Sequence, residues 1–310
     1  MNQIEFKKNI KLDNDLAWLI GFYLAEGTKT KGYIGVANNE LNLITKSLDL
    51  FEKSFGINKN SWTIWIKTNR RDDKGKEFVR QKWSKKIRQN FKIGYARFAY
   101  RESIEIRINS VKLSAFLNNI LKQYPERILK NKELTLNFLK GYIIGDGGIT
   151  LRQKQIHNIS ITVKEKEYRD YLIKALKLLY GKEPNIRKTK GAYELYYCHV
   201  NMISKIILDG LFDDLDRQKK KLINGYKNKI YTRARVKYWN KIKNKSLTSK
   251  QIAELSGNSF WSVMDALNKD IKLGIVDCEY KQLNKKGFPN KFYKLNSIGL
   301  KLLNKLEVEM

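Results

Sequence analysis

An internal repeat constrains the fold of this chain more than any other feature. The segment Leu19 to Gly27 reads LIGFYLAEG, and the segment Leu139 to Gly147 reads LKGYIIGDG. Each is an apolar run that ends in a carboxylate followed by glycine. The small and acidic residues recur 120 positions apart, as the pairs Gly21 and Gly141, Ala25 and Gly145, and Glu26 and Asp146. A repeat of this length predicts two halves of similar structure.

The sequence that follows each motif also repeats. A short polar hairpin (28–37 and 149–163) precedes an amphipathic helix (39–55 and 164–180), and two strand-like runs of alternating polarity come next. The first half carries 28 additional residues between its last two strands, because Gly21 lies 88 residues before Asn109 whereas Gly141 lies 60 before Asn201. Each half therefore reads as an α+β unit of the order αββαββα.

The helices of the two motifs are predicted to pack side by side. Each is apolar on nearly all sides, which is typical of a buried helix. Gly21 and Ala25 lie four residues apart, as do Gly141 and Gly145, so each pair shares one helical face. Small residues on that face allow two helix backbones to approach closely. These four residues are our predicted joint between the halves.

This packing would bring two acids together at one end of the joint. Glu26 and Asp146 each end a helix, where the macrodipole is negative, so their proximity is electrostatically unfavourable. A bound divalent cation would relieve the repulsion, and we therefore predict that the two acids bind metal. Gly27 and Gly147 follow the acids directly. We expect them to adopt the positive φ common at helix ends.

Charge and composition indicate the partner and the metal. The chain has 62 Lys and Arg against 31 Asp and Glu, a net charge of +31, which favours a polyanion such as nucleic acid. Only two cysteines and two histidines occur, so oxygen ligands and Mg²⁺ are expected rather than a zinc site. The sequence shows no signal-peptide core and no membrane-spanning apolar run, and we expect a cytoplasmic protein.

Over residues 10–230 the paired motifs resemble those of the LAGLIDADG homing endonucleases, in the single-chain form with two motifs. The resemblance implies a pseudo-twofold pair of αββαββα units whose two four-stranded sheets form a DNA-binding saddle. It also implies Mg²⁺-dependent cleavage of both DNA strands across the minor groove, leaving short 3′ overhangs. Glu26 and Asp146 carry over as the metal-binding acids, next to Ala25 and Gly145. The first motif departs from the family in having Glu for Asp and Ala25 for Gly.

The resemblance further places polar or basic side chains near the reacting phosphates. By position these are Asn38, Lys164, Lys130 and Lys219. A lysine there could stabilise phosphate charge or orient water. A solvent-exposed surface lysine is the alternative for each of the three.

Basic residues interleaved with aromatics extend the predicted DNA interface. The insertion near residues 70–101 is rich in both and carries no acid after Phe78, and 217–245 is a second basic stretch. We expect DNA contacts from the hairpins, strands, insertion and linker, at Lys29, Lys31, Lys67, Arg70, Arg80, Lys82, Lys85, Arg88, Arg97, Arg101, Arg107, Arg152, Lys154, Arg187, Lys188, Lys190, Arg233 and Arg235.

The C-terminal residues are similar to a winged helix-turn-helix domain, whose second helix enters the major groove. Thr248 begins one helix, Asn258 and Ser259 begin the next, and strands are expected at 275–277, 278–283 and 291–295. Outward-facing Ser259 and Trp261, with Lys285 and Lys286 on the wing, would contact DNA.

These observations divide the chain into 1–125, 126–230 and 231–310. We expect a monomeric, site-specific endonuclease with a long asymmetric DNA target. Two alternatives remain open: a DNA-binding transcription regulator that does not cleave, and an RNA maturase that binds its intron. An intein is disfavoured, because Met1 and Met310 provide neither the nucleophile nor the His-Asn ending that protein splicing needs.

Overall fold

The computed structural model describes residues 4–28, 30, 32–87, 90–97, 99, 101–282 and 289–307, without the side chains of residues 230–233. The chain divides into two compact units. The first comprises Met1–Gly147, Thr162–Pro184 and Lys188–Tyr193, and the second comprises Gly148–Ile161, Asn185–Arg187 and Glu194–Met310. The second motif helix thus clusters with the first unit. The predicted division at residues 125 and 230 remains a prediction.

The first half of the chain contains four helices and four strands in the described residues. They are α1 (Asn14–Glu26), β1 (Tyr33–Asn38), α2 (Leu41–Phe55), a 3-10 helix (Lys59–Ser61), β2 (Thr63–Thr68), α3 (Asp73–Ser84), β3 (Phe91–Tyr95), β4 (Ser103–Asn109) and α4 (Val111–Ile128). The sheet order is β1-β4-β2-β3. Alternate residues of β2 are buried, as the alternating polarity predicts. In β4 the apolar residues Ile104, Ile106 and Ile108 are buried, and Glu105 between them is buried as well.

The additional segment of the first half forms α3 and β3. Strand β3 pairs in parallel with β2, whereas β1 and β2 both pair antiparallel with β4. A parallel pair needs a crossover connection, and α3 supplies it. The insertion is therefore an ordered part of the sheet over its described residues, rather than only a loop.

Within the described residues of the predicted first hairpin, β1 is a strand, and an isolated antiparallel bridge joins Gly27 to Val36. The Thr28 N–H still donates to the Gly35 carbonyl at 2.8 Å. Lys29 and Lys31 of the predicted hairpin lie outside the described residues.

The second half begins with the second motif helix. Its elements are α5 (Lys132–Asp146), β5 (Gly147–Arg152), β6 (Gln155–Val163), α6 (Lys166–Tyr180), β7 (Asn185–Thr189), β8 (Ala192–Tyr197) and α7 (Val200–Leu208). The order is the predicted αββαββα, and the sheet order is β5-β6-β8-β7. Gln153 and Lys154 both have positive φ in the β5–β6 turn, as a tight hairpin requires.

The C-terminal elements follow the predicted order. They are α8 (Asp216–Lys227), α9 (Ile230–Ile242), β9 (Leu247–Thr248), α10 (Ser249–Ser256), α11 (Phe260–Lys272), β10 (Val276–Lys281), β11 (Asn290–Leu295) and α12 (Ser297–Glu307). The three strands form a sheet of order β10-β11-β9. The two strands predicted over 275–283 are one strand, β10. Within the described residues, no helix is long and apolar enough to cross a membrane.

Helices α1 and α5 are in backbone contact through glycine. A Cβ atom at Gly21 would stand 2.0 Å from the Phe138 carbonyl oxygen, and one at Gly141 would stand 2.0 Å from the Trp18 carbonyl oxygen. A Cβ at Gly145 would lie 2.9 Å from the Ala25 Cβ. Glycine is the residue type that this spacing permits at Gly21 and Gly141.

The expectation for Gly27 and Gly147 is wrong. Their φ angles are −75° and −88°, in the extended region. Glycine is needed for space instead, because a Cβ would stand 2.3 Å from the Tyr23 carbonyl oxygen at Gly27 and 2.0 Å from the Ile143 Cγ1 at Gly147. Among the described helices, the C-caps with positive φ are those of α2, α6 and α10, at Gly56, Gly181 and Gly257.

Replacing Gly141 by alanine should destabilise the protein. In an ordinary helix interior this change stabilises by about 1 kcal/mol. Here the added methyl overlaps the Trp18 carbonyl, so we expect a loss of about 2–3 kcal/mol, as for an overpacked core. Chemical denaturation followed by circular dichroism measures the difference. Lys140→Ala, in the same helix, is the control and should change stability by less than about 0.5 kcal/mol. Equal stability of Gly141→Ala and wild type would contradict this packing.

Candidate metal and nucleic-acid site

The two motif acids lie beside each other at the C-terminal ends of α1 and α5. Both are partly buried. The side chain of Glu26 crosses over Gly145, since a Cβ there would stand only 2.8 Å from the Glu26 Cγ. The charge of Asp146 acts on Glu26 strongly enough to shift its pKa. The structure therefore brings together Glu26, Asp146, Ala25 and Gly145, as the repeated motif predicts.

Glu26 is held by a neutral donor. The Asn38 Nδ2 group donates to the Glu26 Oε1 at 2.9 Å, and the Asn38 Oδ1 accepts from the Glu40 N–H at 2.9 Å. The second bond fixes the amide orientation, so that the N–H side of Asn38 faces the acid. Burial raises the pKa of Glu26 to about 7, and the charge of Asp146 adds to this increase against the opposing effect of the Asn38 bond.

Asp146 is held by a different neutral donor. The Tyr142 hydroxyl, one helical turn earlier on α5, hydrogen-bonds to the Asp146 carboxylate. Burial, together with the charges of Asp146 and Glu165, keeps the pKa of the Tyr142 hydroxyl far above its ordinary value. Tyr142 was not among the predicted site residues. Its spacing of four residues from Asp146 on one helical face is the sequence signal that identifies it.

The three lysines predicted near the acids lie in three different parts of the fold. Lys164 is exposed in the connection between β6 and α6. Lys130 precedes α5 and therefore lies at the end of that helix opposite to Asp146, roughly 24 Å away at 1.5 Å per residue. The structure does not bring Lys130 to the acids. Lys219 lies in α8 of the second unit, with its Nζ 3.9 Å from the Asp213 Oδ1.

The donor set fits a hard divalent cation. Two carboxylates converge, each oriented by a neutral group, so both keep their oxygens available as ligands. Among the described residues, no group of three or more His, Cys, Asp or Glu side chains could hold a metal ion. A cation at Glu26 and Asp146 would therefore complete its shell with water, backbone carbonyls or phosphate oxygens, which suits Mg²⁺.

One face of the first sheet combines cations and aromatic rings. The Glu105 carboxylate is buried there between Lys67, whose Nζ lies 3.2 Å from its Oε2, and Arg107, which pairs with its Oε1. Lys67 and Lys92 lie 5.0 and 5.5 Å from the Trp65 ring centroid. The buried carboxylate holds Lys67 and Arg107 beside the Trp65 ring. This surface can present charge to a phosphate backbone with little loss of side-chain entropy.

The remaining predicted DNA contacts fall into four groups. Several cations pair with acids at the surface, namely Arg80 with Glu77, Lys82 with Glu102 and Arg187 with Glu194. Arg70 lies 4.4 Å from the Phe78 ring centroid. Others are exposed: Lys85, Arg97, Arg101, Arg152, Lys154, Lys188, Lys190, Ser259 and Trp261. Lys29, Lys31, Arg88, Lys285, Lys286 and the Arg233 side chain lie outside the described residues.

The assignment of Arg235 as a DNA contact is wrong. Arg235 is fully buried and forms an ion pair with Asp270, which is also fully buried. The Trp239 Nε1 donates to the Asp270 Oδ2 at 2.9 Å. This network joins α9 to α11 inside the second unit. The sequence around Arg235 is a basic run, and such a run does not show which of its residues has a buried acidic partner.

Glu26 should make the stability of the metal-free protein depend on pH. Its folded-state pKa of about 7 exceeds the ordinary value of 4.5, so the folded protein binds a proton more tightly than the unfolded chain does. Stability from this group is present below pH 4.5 and is lost as the pH rises to about 7, by about 2–3 kcal/mol. Glu26→Gln should remove this loss.

Denaturation in EDTA at several pH values tests this expectation. The Glu26→Gln variant should match wild type near pH 4.5 and exceed its stability by about 2–3 kcal/mol at pH 8. Glu167→Gln, at an exposed position of α6, is the matched control. A difference between Glu26→Gln and wild type that stays constant from pH 4.5 to 8 would contradict the burial and charge repulsion described for Glu26.

Comparison with known proteins gives one family match and several partial likenesses. Residues 133–214 match the LAGLIDADG-like domain. The chain is 28% identical over 176 residues to the DNA-directed RNA polymerase subunit Rpo1C of Methanocaldococcus jannaschii, covering 55% of this chain and 16% of that protein. It is 27% identical over 229 residues to the uncharacterized protein MJ1054 of the same organism, covering 71% and 23%. The chain thus spans less than a quarter of the length of either relative.

Solved structures show partial likeness at low identity. Full-length DUF199/WhiA from Thermatoga maritima has a TM-score of 0.41 and 13% identity, over 85% of this chain and 92% of that one. The structure of I-DmoI in complex with DNA and Ca has a TM-score of 0.38 and 18% identity, over 63% and 87%. The family match covers α5 through α7, the segment that begins with the second motif. The similarity to the LAGLIDADG-like domain thus lies in residues 133–214.

Proposed function

We propose that this protein is a site-specific endonuclease that hydrolyses both strands of DNA with a divalent cation bound by Glu26 and Asp146. The observation that carries the proposal is the convergence of these two acids from repeated motifs, at the ends of helices packed through Gly21 and Gly141. Such a pair has no evident structural use, because burial and mutual repulsion raise the pKa of Glu26 and make its charged form costly. A bound cation would neutralise the two carboxylates, and the relief of their repulsion would favour binding of the metal.

The residues around the acids have defined tasks in this proposal. Asn38 and Tyr142 orient the carboxylates without neutralising them, and Gly145 leaves room for Glu26. When bound, Mg²⁺ would lower the pKa of its water ligand and stabilise charge on the phosphate. Hydrolysis joins a water oxygen to phosphorus and releases one ester oxygen as a hydroxyl group.

Recognition of DNA would fall to the basic surfaces. The first-sheet surface of Trp65, Lys67, Lys92 and Arg107 is broad and cationic, and the net charge of +31 supports strong, salt-dependent attraction to phosphates. We also propose that the first half is a second LAGLIDADG unit, although it carries the additional α3 and β3. The halves would then read different sequences, and a monomer would recognise a long asymmetric target.

We further propose that the C-terminal elements are a winged helix-turn-helix that binds DNA. Helices α10 and α11 are in contact, and β10 and β11 form the hairpin of the three-stranded sheet. At the start of α11, Ser259 caps the helix and Trp261 is 78% exposed. Exposure of a tryptophan on the first turn of the second helix supports a role in binding, since this end enters the major groove in such domains.

A binding selection followed by cleavage tests the proposed function. Wild-type protein in EDTA first selects the duplexes that it binds from a randomised library. The selected duplexes are cloned into a plasmid. The plasmid is then incubated with protein and Mg²⁺. Wild type should convert the supercoiled plasmid to linear DNA. A Glu26→Gln/Asp146→Asn variant should bind the same duplexes but cleave at least about 100-fold more slowly.

The control removes two acids elsewhere. Asp49→Asn/Glu52→Gln changes the net charge by the same amount on α2, where both acids are exposed and pair with Lys59. This variant should cleave like wild type. If wild type binds its duplexes but cleaves no faster than the Glu26→Gln/Asp146→Asn variant, the protein binds DNA without cutting it, and a regulatory function replaces the nuclease. Selective enrichment of intron RNA over duplex DNA would support a maturase instead.

A further inference from the structure

The two acids of the joint occupy unequal surroundings, although the motifs that supply them are repeats. Helices α1 and α5 correspond with an offset of 120 residues, so Tyr142 corresponds to Phe22. Phe22 is fully buried and has no hydroxyl to donate. The hydroxyl that holds Asp146 therefore has no counterpart for Glu26.

The donor that holds Glu26 is also confined to one half. Helices α2 and α6 correspond with an offset of 125 residues, because Glu40 and Glu165 are their N-caps and Gly56 and Gly181 their positive-φ C-caps. Asn38 then corresponds to Val163, which is buried and apolar at the end of β6. The amide that binds Glu26 is replaced by a side chain that cannot donate.

Each acid thus depends on one half-specific donor. Asn38 is fixed at both ends of its amide, by Glu26 and by the Glu40 N–H. Tyr142 is only 2% exposed and lies on the same helix as Asp146, so its hydroxyl has little freedom to turn elsewhere. Hydrogen bonds to charged groups are among the stronger ones in proteins, and the loss of either should disturb one carboxylate and spare the other.

Resting on the nuclease function proposed above, we propose that Asn38 and Tyr142 are positioning residues that act on different DNA strands. Asn38 orients Glu26 for hydrolysis of one strand, and Tyr142 orients Asp146 for hydrolysis of the other. The two strand cleavages are therefore separable by changes that leave both acids in place. Neither Asn38 nor Tyr142 is required to touch the DNA.

Two substitutions that exchange residues between the halves test the proposal. Asn38→Val and Tyr142→Phe each introduce the residue that the other half already carries at the matching position, so the fold has precedent for both. The substrate is a plasmid with one selected target site, with each strand labelled separately. Each variant should slow cleavage of one strand roughly 10- to 100-fold, the effect of a lost bond to a charged group. Nicked circles should accumulate, with nicks in opposite strands for the two variants.

Tyr23→Phe is the matched control. It removes a hydroxyl near the end of α1 that donates at 2.8 Å to the Thr28 carbonyl rather than to an acid. It should leave the ratio of the two strand rates unchanged, whatever it does to stability. If Asn38→Val lowers the melting temperature below the assay range, Asn38→Ser replaces it.

The outcomes are distinguishable. Nicks in opposite strands support the proposal. Equal slowing of both strands by each variant, or nicks in the same strand, would overturn it while leaving the nuclease function intact, because wild type still linearises the plasmid. A wild-type protein that binds the site but does not cleave it in Mg²⁺ would overturn both.

Discussion

The close approach of α1 and α5 is the constraint on which the rest of the proposed site depends. The carbonyl oxygens of Phe138 and Trp18 occupy the positions where a Cβ of Gly21 or Gly141 would stand. Only glycine at both positions allows the two helices to run in backbone contact. Because the helices end together, their terminal acids meet, and the unfavourable interaction of Glu26 with Asp146 follows directly from this packing. The site is thus a consequence of helix packing as much as of its polar residues.

The sequence predicted this arrangement where a repeat provided a comparison. Glycine and alanine at matching positions, each pair followed by an acid, identified the helix joint and the two carboxylates. The order of elements in the second half was also predictable from polarity. Local rules failed where a residue serves packing rather than conformation. Gly27 and Gly147 look like left-handed helix ends, yet both are extended and glycine is required by the neighbouring side chains.

Partner choice was the least predictable property of the charged residues. Arg235 lies in a basic run but is buried against Asp270, a residue 35 positions away that nothing in the local sequence identifies. Glu105 of β4 pairs with Lys67 of the neighbouring strand β2 and with Arg107 of its own strand. Lys130 was placed near the acids by analogy, whereas the length of α5 separates it from Asp146. Tyr142 was overlooked because an aromatic residue in an apolar helix is usually core.

A crystal structure of the protein with its selected DNA and Mn²⁺ would test the central claim most directly. Manganese gives an anomalous signal and accepts the same oxygen ligands as Mg²⁺. Our account predicts an anomalous peak bound by one carboxylate oxygen of Glu26 and one of Asp146, at about 2.0–2.3 Å from each. Manganese bound elsewhere, or to only one of the two acids, would contradict it.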